Sequence, residues 1–149
     1  MKIREYESSD AGETARLFYE TVHAVNARDY TESQLDAWAT GLVDPEAWDA
    51  SFRSGPARVA TMDGLIVGFG NISFPGYLDK LFVHKDFQRR GIATAICDEL
   101  ERMTIDRIEV HASITARPFF ERRGYREIVK QTVERNGIFL TNFVMEKQL

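Results

Sequence analysis

Residues 88–93 read Gln-Arg-Arg-Gly-Ile-Ala, and an amphipathic helix pattern follows at once. Two arginines and a glycine at a helix entrance suit an anion. The first turn of a helix presents unpaired N–H groups and the positive end of the helix dipole. A phosphate placed there gains several charge-assisted hydrogen bonds. Gly91 and the small Ala93 leave the backbone open to close approach, while Arg89 and Arg90 either add charge or point to solvent. Lys80, His84 and Lys85 lie just upstream, opposed only by Asp86. A plain helix start and a nucleic-acid contact are the competing readings of the same stretch. The familiar nucleotide loops are absent: there is no GxxxxGK[ST], and Gly68-Phe69-Gly70 lacks the third glycine of GxGxxG at its spacing.

Composition narrows these readings. The chain has 149 residues, 44% hydrophobic and 28% charged, which suits one soluble domain with one core. Its 23 acidic side chains outnumber 19 basic ones, for a net charge of −4, and this argues against general affinity for DNA or RNA. A local basic patch on an acidic protein fits a small polyanion better. Cys97 is the only cysteine, so neither an internal disulfide nor a thiolate zinc cluster can form, and its helical position suits a buried filler. The three histidines, at 23, 84 and 111, have no metal-site spacing, so no catalytic metal is expected. No apolar run approaches the roughly 20 residues of a membrane span, and the N-terminus has no signal-peptide core. The expected location is the cytoplasm, with no membrane partner.

The elements that must position the basic stretch read as follows. Residues 2–7 form a strand, and Asp10 with Glu13 has capping-box spacing ahead of a helix to about residue 24. Thr31 or Ser33 starts a short helix with Leu35 and Trp38, and Pro45 another with Trp48 and Phe52. Strands at 57–62 and 65–73 join through Asp63-Gly64, a hairpin signal. A strand at 77–83, a helix over 89–104 and a strand at 108–112 make one βαβ unit with parallel strands and a right-handed crossover. A short helix at 115–123 ends at Gly124, and a hairpin, 125–134 and 138–146, turns at Asn136-Gly137. The expected fold is α/β: a mixed, largely antiparallel sheet of about seven strands flanked by helices, in a single domain over 1–149. The edge of the terminal hairpin could pair with a second copy.

Residues 88–93 match the Q/R-x-x-G-x-G/A signature of the GNAT superfamily of N-acetyltransferases. The preceding LDKLFVHKDF resembles the family's core strand and its exit, and the following ATAICDELER resembles its helix. ASITARPFFERRGY, at 112–125, resembles the family's A-x-x-(F/L)-(Y/F)-E-x-x-G-(F/Y) segment at the expected distance. The resemblance implies an acyltransferase that moves an acetyl group from acetyl-CoA to a primary amine. It seats the CoA pyrophosphate on the amides of Arg89, Arg90, Gly91, Ile92, Ala93 and Thr94, behind Gln88. It lays the pantetheine arm along main-chain groups of Leu81 and Val83, and assigns oxyanion stabilisation to the backbone near Phe82.

Acyl transfer to nitrogen needs a neutral amine, hence a base, often through water, and an N–H aimed at the developing oxyanion. Asp79, mid-strand in an apolar run, either serves as the base, pairs with a nearby cation or faces solvent. The family's usual proton-donating tyrosine aligns with Phe120, which cannot donate, and its usual asparagine with Ser113. Both stand beside the expected cofactor, and the Ser113 hydroxyl either fills part of those roles or caps a helix. Tyr77 and Tyr125 are other donors. TVHAVNARDYTESQLDAWA, at 21–39, resembles a stretch of uncharacterised bacterial members of the family. By analogy it supplies His23, Tyr30 and Trp38, with Asp29 and Asp79, to the acceptor pocket. His23 and Trp38 equally suit structural roles. Two functions stand against each other: N-acetylation of a small-molecule amine by direct attack in a ternary complex, and an acyl-CoA-binding sensor that has lost turnover.

Overall fold

The computed structural model describes residues 1–149. In chain order its elements are β1 (Lys2–Glu5), α1 (Ala11–Val25), α2 (Glu32–Trp38), α3 (Pro45–Ala50), β2 (Ala57–Met62), β3 (Leu65–Ser73), β4 (Tyr77–Val83), α4 (Ile92–Arg102), β5 (Arg107–Ser113), α5 (Arg117–Arg122), β6 (Arg126–Arg135) and β7 (Ile138–Gln148). The strands form one seven-stranded sheet in the order β1-β2-β3-β4-β5-β7-β6. Every pairing is antiparallel except β4–β5, the parallel pair expected of the βαβ unit. No helix is long and apolar enough to cross a membrane.

Local chemistry explains most element boundaries. Thr31 caps α2 by accepting the Gln34 N–H (3.2 Å), while Gln34 Oε1 accepts the Thr31 N–H (2.9 Å), a reciprocal box. Asp44 caps α3 ahead of Pro45, accepting the Glu46 N–H at 3.0 Å. The β2–β3 and β6–β7 hairpins turn at Asp63-Gly64 and Asn136-Gly137, each residue with positive φ.

At α1 the expected Asp10–Glu13 box is not formed. The Asp10 carboxylate instead accepts from Arg4 (2.8 and 2.9 Å) and from the Glu7 N–H (2.8 Å), and Glu13 Oε2 reaches the Ile66 N–H of β3 (2.8 Å). A guanidinium brought in by β1 binds the carboxylate more strongly than a neutral amide would. α3 also ends before Phe52, which packs under the sheet instead.

Helices cover both faces. On one, Ile92, Ile96 and Leu100 of α4 pack with Leu78, Ile108, Val110, Phe120 and Met145. Each large buried side chain contributes about 1.5–3 kcal/mol. On the other face, α1 and the segment after it bring Leu17 against Val59 and Phe69, and Val22 with Tyr30 against Leu140.

Beneath α4 and α5 a charged cluster is folded in. Glu101 accepts from Arg123 Nε (2.6 Å), Lys147 Nζ (2.8 Å) and the Tyr125 hydroxyl (2.8 Å). Burial alone would push the Glu101 carboxyl up, but these three donors outweigh it and hold the group below the usual glutamate range. A carboxyl depressed in the folded state contributes stability that is fully present above its unfolded pKa. That stability is lost as pH falls through the folded value. Glu101→Gln should therefore lower stability at pH 7 by roughly 3–5 kcal/mol, and lower it less at pH 3. Urea melts of both proteins at the two pH values measure this.

Candidate active site

The β4–β5 pairing extends over only two positions, Tyr77↔Glu109 and Leu78↔Val110. Beyond them the strands part, and a cavity of about 980 Å³ opens through the sheet. That is the upper end of the range for small-molecule sites, ~300–1,000 Å³, and suits a long ligand. β4, β5, the loop into α4 and α5 line it, together with residues 21–38 and the end of the terminal hairpin.

The loop entering α4 is built to leave amides open. The Ala95 N–H, which donates to Gly91 O (3.0 Å), is the first of the helix with a backbone acceptor; those of Arg89 through Thr94 have none. Arg89 (φ 62°) and Gly91 (φ 77°) are both left-handed, a curl that turns successive N–H groups toward one point. A Cβ at Gly91 would meet nothing within 4 Å, so glycine is needed there for its dihedral angle and not for core packing. Gln88 shapes the loop, since its Nε2 donates to Val83 O (2.7 Å) and His84 O (3.3 Å).

Arg89, Gly91, Ile92, Ala93 and Thr94 line the cavity. The Arg90 side chain does not. Its guanidinium lies over the Phe87 ring (4.9 Å), so of the two arginines only Arg89 lines the site.

On β4, His84 donates to Val67 O (2.8 Å) across the β3 pair. By the alternation of an antiparallel ladder, Phe82 then bonds to Phe69 of β3, while the main-chain groups of Leu81 and Val83 face the gap. The expectation of an oxyanion donor near Phe82 therefore shifts to its neighbours. Val83 O is already taken by Gln88 and by the Thr21 hydroxyl (3.0 Å), which leaves its N–H and both groups of Leu81. The Phe82 ring itself packs on Phe18 (4.9 Å) and Phe69 (5.7 Å), forming an aromatic floor.

Asp79 lies where the β3–β4 register slips from Asn71↔Lys80 to Ile72↔Leu78. This bulge leaves it unopposed and turns it onto the same face as Lys80. The apolar surroundings read from the sequence are not what it meets. Lys80 Nζ stands 2.7 Å from Asp79 Oδ2, held in turn by Ser51 Oγ (2.6 Å) and the Phe52 ring (4.6 Å). Asp79 nevertheless lines the cavity at the fork, beside Tyr77. The Tyr77 phenol has no hydrogen-bond partner, and burial, then Asp79 and Glu109, raise its pKa.

Tyr30, Trp38, Ser113 and Phe120 line the same cavity; His23 does not. His23 stacks on Tyr19 (4.2 Å) and hydrogen-bonds Ala39 O (2.8 Å), so it braces α1 against the end of α2. The Tyr30 hydroxyl is fully engaged, donating to Thr141 O (2.7 Å) and accepting from the Ile114 N–H (2.9 Å). Trp38 packs edge-on to Tyr30 (5.6 Å) and supplies apolar wall. The Ser113 hydroxyl accepts the Ala116 N–H (3.0 Å), closing the turn into α5. Phe120 is 2% exposed, wedged against Tyr125 (5.0 Å). Tyr125 is committed to Glu101 and lies outside the cavity. Cys97 is buried, its thiol pushed up to about 12 by burial, and is no nucleophile. Sequence reasoning missed Arg135, Asn142 and Thr115, which reach the cavity only through the long-range packing of hairpin and turn.

A family model described as an acetyltransferase (GNAT) domain matches residues 26–147. The chain belongs to the GNAT acetyltransferase family. It is 34% identical over 145 residues, 97% of its length, to the uncharacterised N-acetyltransferase YafP of Escherichia coli K12, covering 94% of that protein. A crystal structure from Rhodopseudomonas palustris, described as a GCN5-related N-acetyltransferase, superposes with TM-score 0.95 at 34% identity, over 99% of this chain and 95% of that one. The fold is shared at lower identity, 16% with TM-score 0.76, by the PaiA N-acetyltransferase of Thermoplasma acidophilum solved with coenzyme A, over 99% and 98% of the two chains. The chain is thus an enzyme of the acetyltransferase class.

If the loop amides seat a pyrophosphate, Gly91→Glu should lower acetyl-CoA affinity by more than about tenfold, through charge repulsion added to a strain of about 1–2 kcal/mol. Gly91→Ala, which adds the strain alone, should lose less. Calorimetric titration of the two variants separates these contributions; equal and small losses would remove the pyrophosphate from this loop.

Proposed function

We propose that the protein transfers an acetyl group from acetyl-CoA to the primary amine of a small molecule, by direct attack while both substrates are bound. The observation that carries this reading is the parting of β4 and β5 beside a loop with six open amides. One molecule laid through that gap meets phosphate-binding amides at one end and the Asp79–Tyr77 fork at the other.

In this reading the pyrophosphate rests on the amides of Arg89–Thr94, and the pantetheine arm adds to β4 through the Leu81 C=O and the Val83 N–H. The amine nitrogen attacks the thioester carbon and forms the C–N bond. The oxyanion that develops takes the gap-facing N–H of Leu81. The C–S bond then breaks, and CoA leaves as thiolate. Asp79 takes the proton released from nitrogen, directly or through water. Tyr77 is the phenol at hand to return a proton to sulfur, in place of the hydroxyl that Phe120 lacks. No residue here is placed to form a covalent intermediate, and direct attack requires none.

Titration with acetyl-CoA, followed by thiol release against a mixed panel of amines, tests the reading. Binding with release establishes it, while binding without release on any amine favours the sensor function. Absence of binding overturns both. Within the enzyme reading, Asp79→Asn should cut kcat about 10²-fold or more while acetyl-CoA affinity stays within about twofold. Normal turnover across pH 6–9 would exclude Asp79 as the base. Tyr77→Phe should lower kcat most at high pH, where solvent supplies fewer protons, and a flat ratio to wild type would leave protonation to water.

A further inference from the structure

The acceptor half of the cavity, on the α1–α2 side of the sheet, is nearly balanced in charge. Asp79 is matched by Lys80 at 2.7 Å, and Asp29 by Arg28 Nε at 3.6 Å. His111 Nε2 faces Glu109 at 3.2 Å. Arg135 is the exception: it lines the cavity, its hydrogen bond runs from Nη1 to the carbonyl of Glu134 (3.0 Å), and it forms no ion pair with a carboxylate.

The position of Arg135 is fixed by three contacts that tie the end of the hairpin to the helical side. Asn136 Nδ2 donates to Ala37 O (2.9 Å), Gln34 Nε2 to Phe139 O (3.0 Å) and the Tyr30 hydroxyl to Thr141 O (2.7 Å). Its charge reaches across to the Tyr77 phenol at the fork, where it opposes the upward push of burial, Asp79 and Glu109. Asn142, on β7 opposite Ser113, also lines the cavity, and its buried Oδ1 has no partner. An unmet acceptor of this kind is costly unless an N–H arrives to fill it.

We propose that the acceptor is a small primary amine carrying a carboxylate on the same molecule, its amine at the fork and its carboxylate on Arg135. The inference rests on the acetyl-transfer reading above and deepens it. An arginine fork matches a carboxylate with two parallel hydrogen bonds. A polyamine or aminoglycoside, cationic at every charged group, would set a second ammonium against that guanidinium. Acetylation removes the amine's charge, forms the amide and releases CoA, and the carboxylate takes no part in bond making, so Arg135 is a specificity residue and not a catalytic one.

The test uses the purified full chain, acetyl-CoA and paired acceptors: glycine, β-alanine, 4-aminobutyrate and L-α-amino acids, each beside its own amide, with simple diamines as the cationic arm. The acids should be preferred over their amides in kcat/KM by about tenfold or more, and the spacing of the best acid reads the reach from fork to guanidinium. Arg135→Gln should collapse that preference, and Arg135→Glu should reverse it toward the diamines. Calorimetric acetyl-CoA binding by each variant reports that it is folded. Amides or diamines turned over as well as acids, or a preference that survives in Arg135→Gln, overturns the proposal. Acetyl-CoA binding with no thiol release on any acid overturns it too, while leaving the donor site in place. Absence of acetyl-CoA binding by the unaltered protein removes the acetyl-transfer reading itself.

Discussion

Two pairs of residues, Tyr77↔Glu109 and Leu78↔Val110, are all that join the two halves of the sheet through their parallel strands. A sheet interrupted at its centre exposes unpaired main-chain groups, which are costly when buried dry. The rest of the molecule keeps that gap open. On one face α4 spans it, packing Ile92 and Ile96 against both halves of the core. On the other, Thr21 holds the Val83 carbonyl of one wall, while Tyr30 holds Ile114 and Thr141 of the opposite wall. Residues 21–30 are therefore a brace as much as a pocket lining.

This double duty explains why side chains that looked chemical in the sequence turn out to be structural. Tyr30 has no hydroxyl capacity left over, His23 is outside the cavity and Ser113 closes a turn. Ser113 meets the Ala116 N–H three residues on, as a local helix cap, but the partners of Tyr30 and His23 lie 16 or more residues away. Such partners leave no local signature. Asp79 is a different case: the strand pattern located it and a nearby cation was among its expected partners, yet alternation alone would have put Lys80 on the opposite face. Only the slip in register against β3 brings the two together.

What was legible rests on short-range chemistry. The Asp63-Gly64 and Asn136-Gly137 turns, the Thr31 and Pro45 helix starts and the glycine ahead of α4 all follow from dihedral preferences or caps that neighbours in sequence decide. So does the parallel pair, since a strand, a helix of fitting length and a second strand permit little else. The Asp10–Glu13 box failed because a competitor arrived from another strand. Arg135 stayed hidden because its place above the cavity depends on the lean of a hairpin, which contacts to Ala37 and Gln34 set.

A gap that passes through a sheet has two mouths. The cavity is lined from one face by the loop into α4 and by α5, and from the other by residues 21–38 and the hairpin end. Donor and acceptor can thus be handled by separate parts of the chain that meet only at the fork. Substitutions that reshape the acceptor mouth can also accumulate without disturbing the donor mouth, which gives the fold a route to new acceptors at constant cofactor.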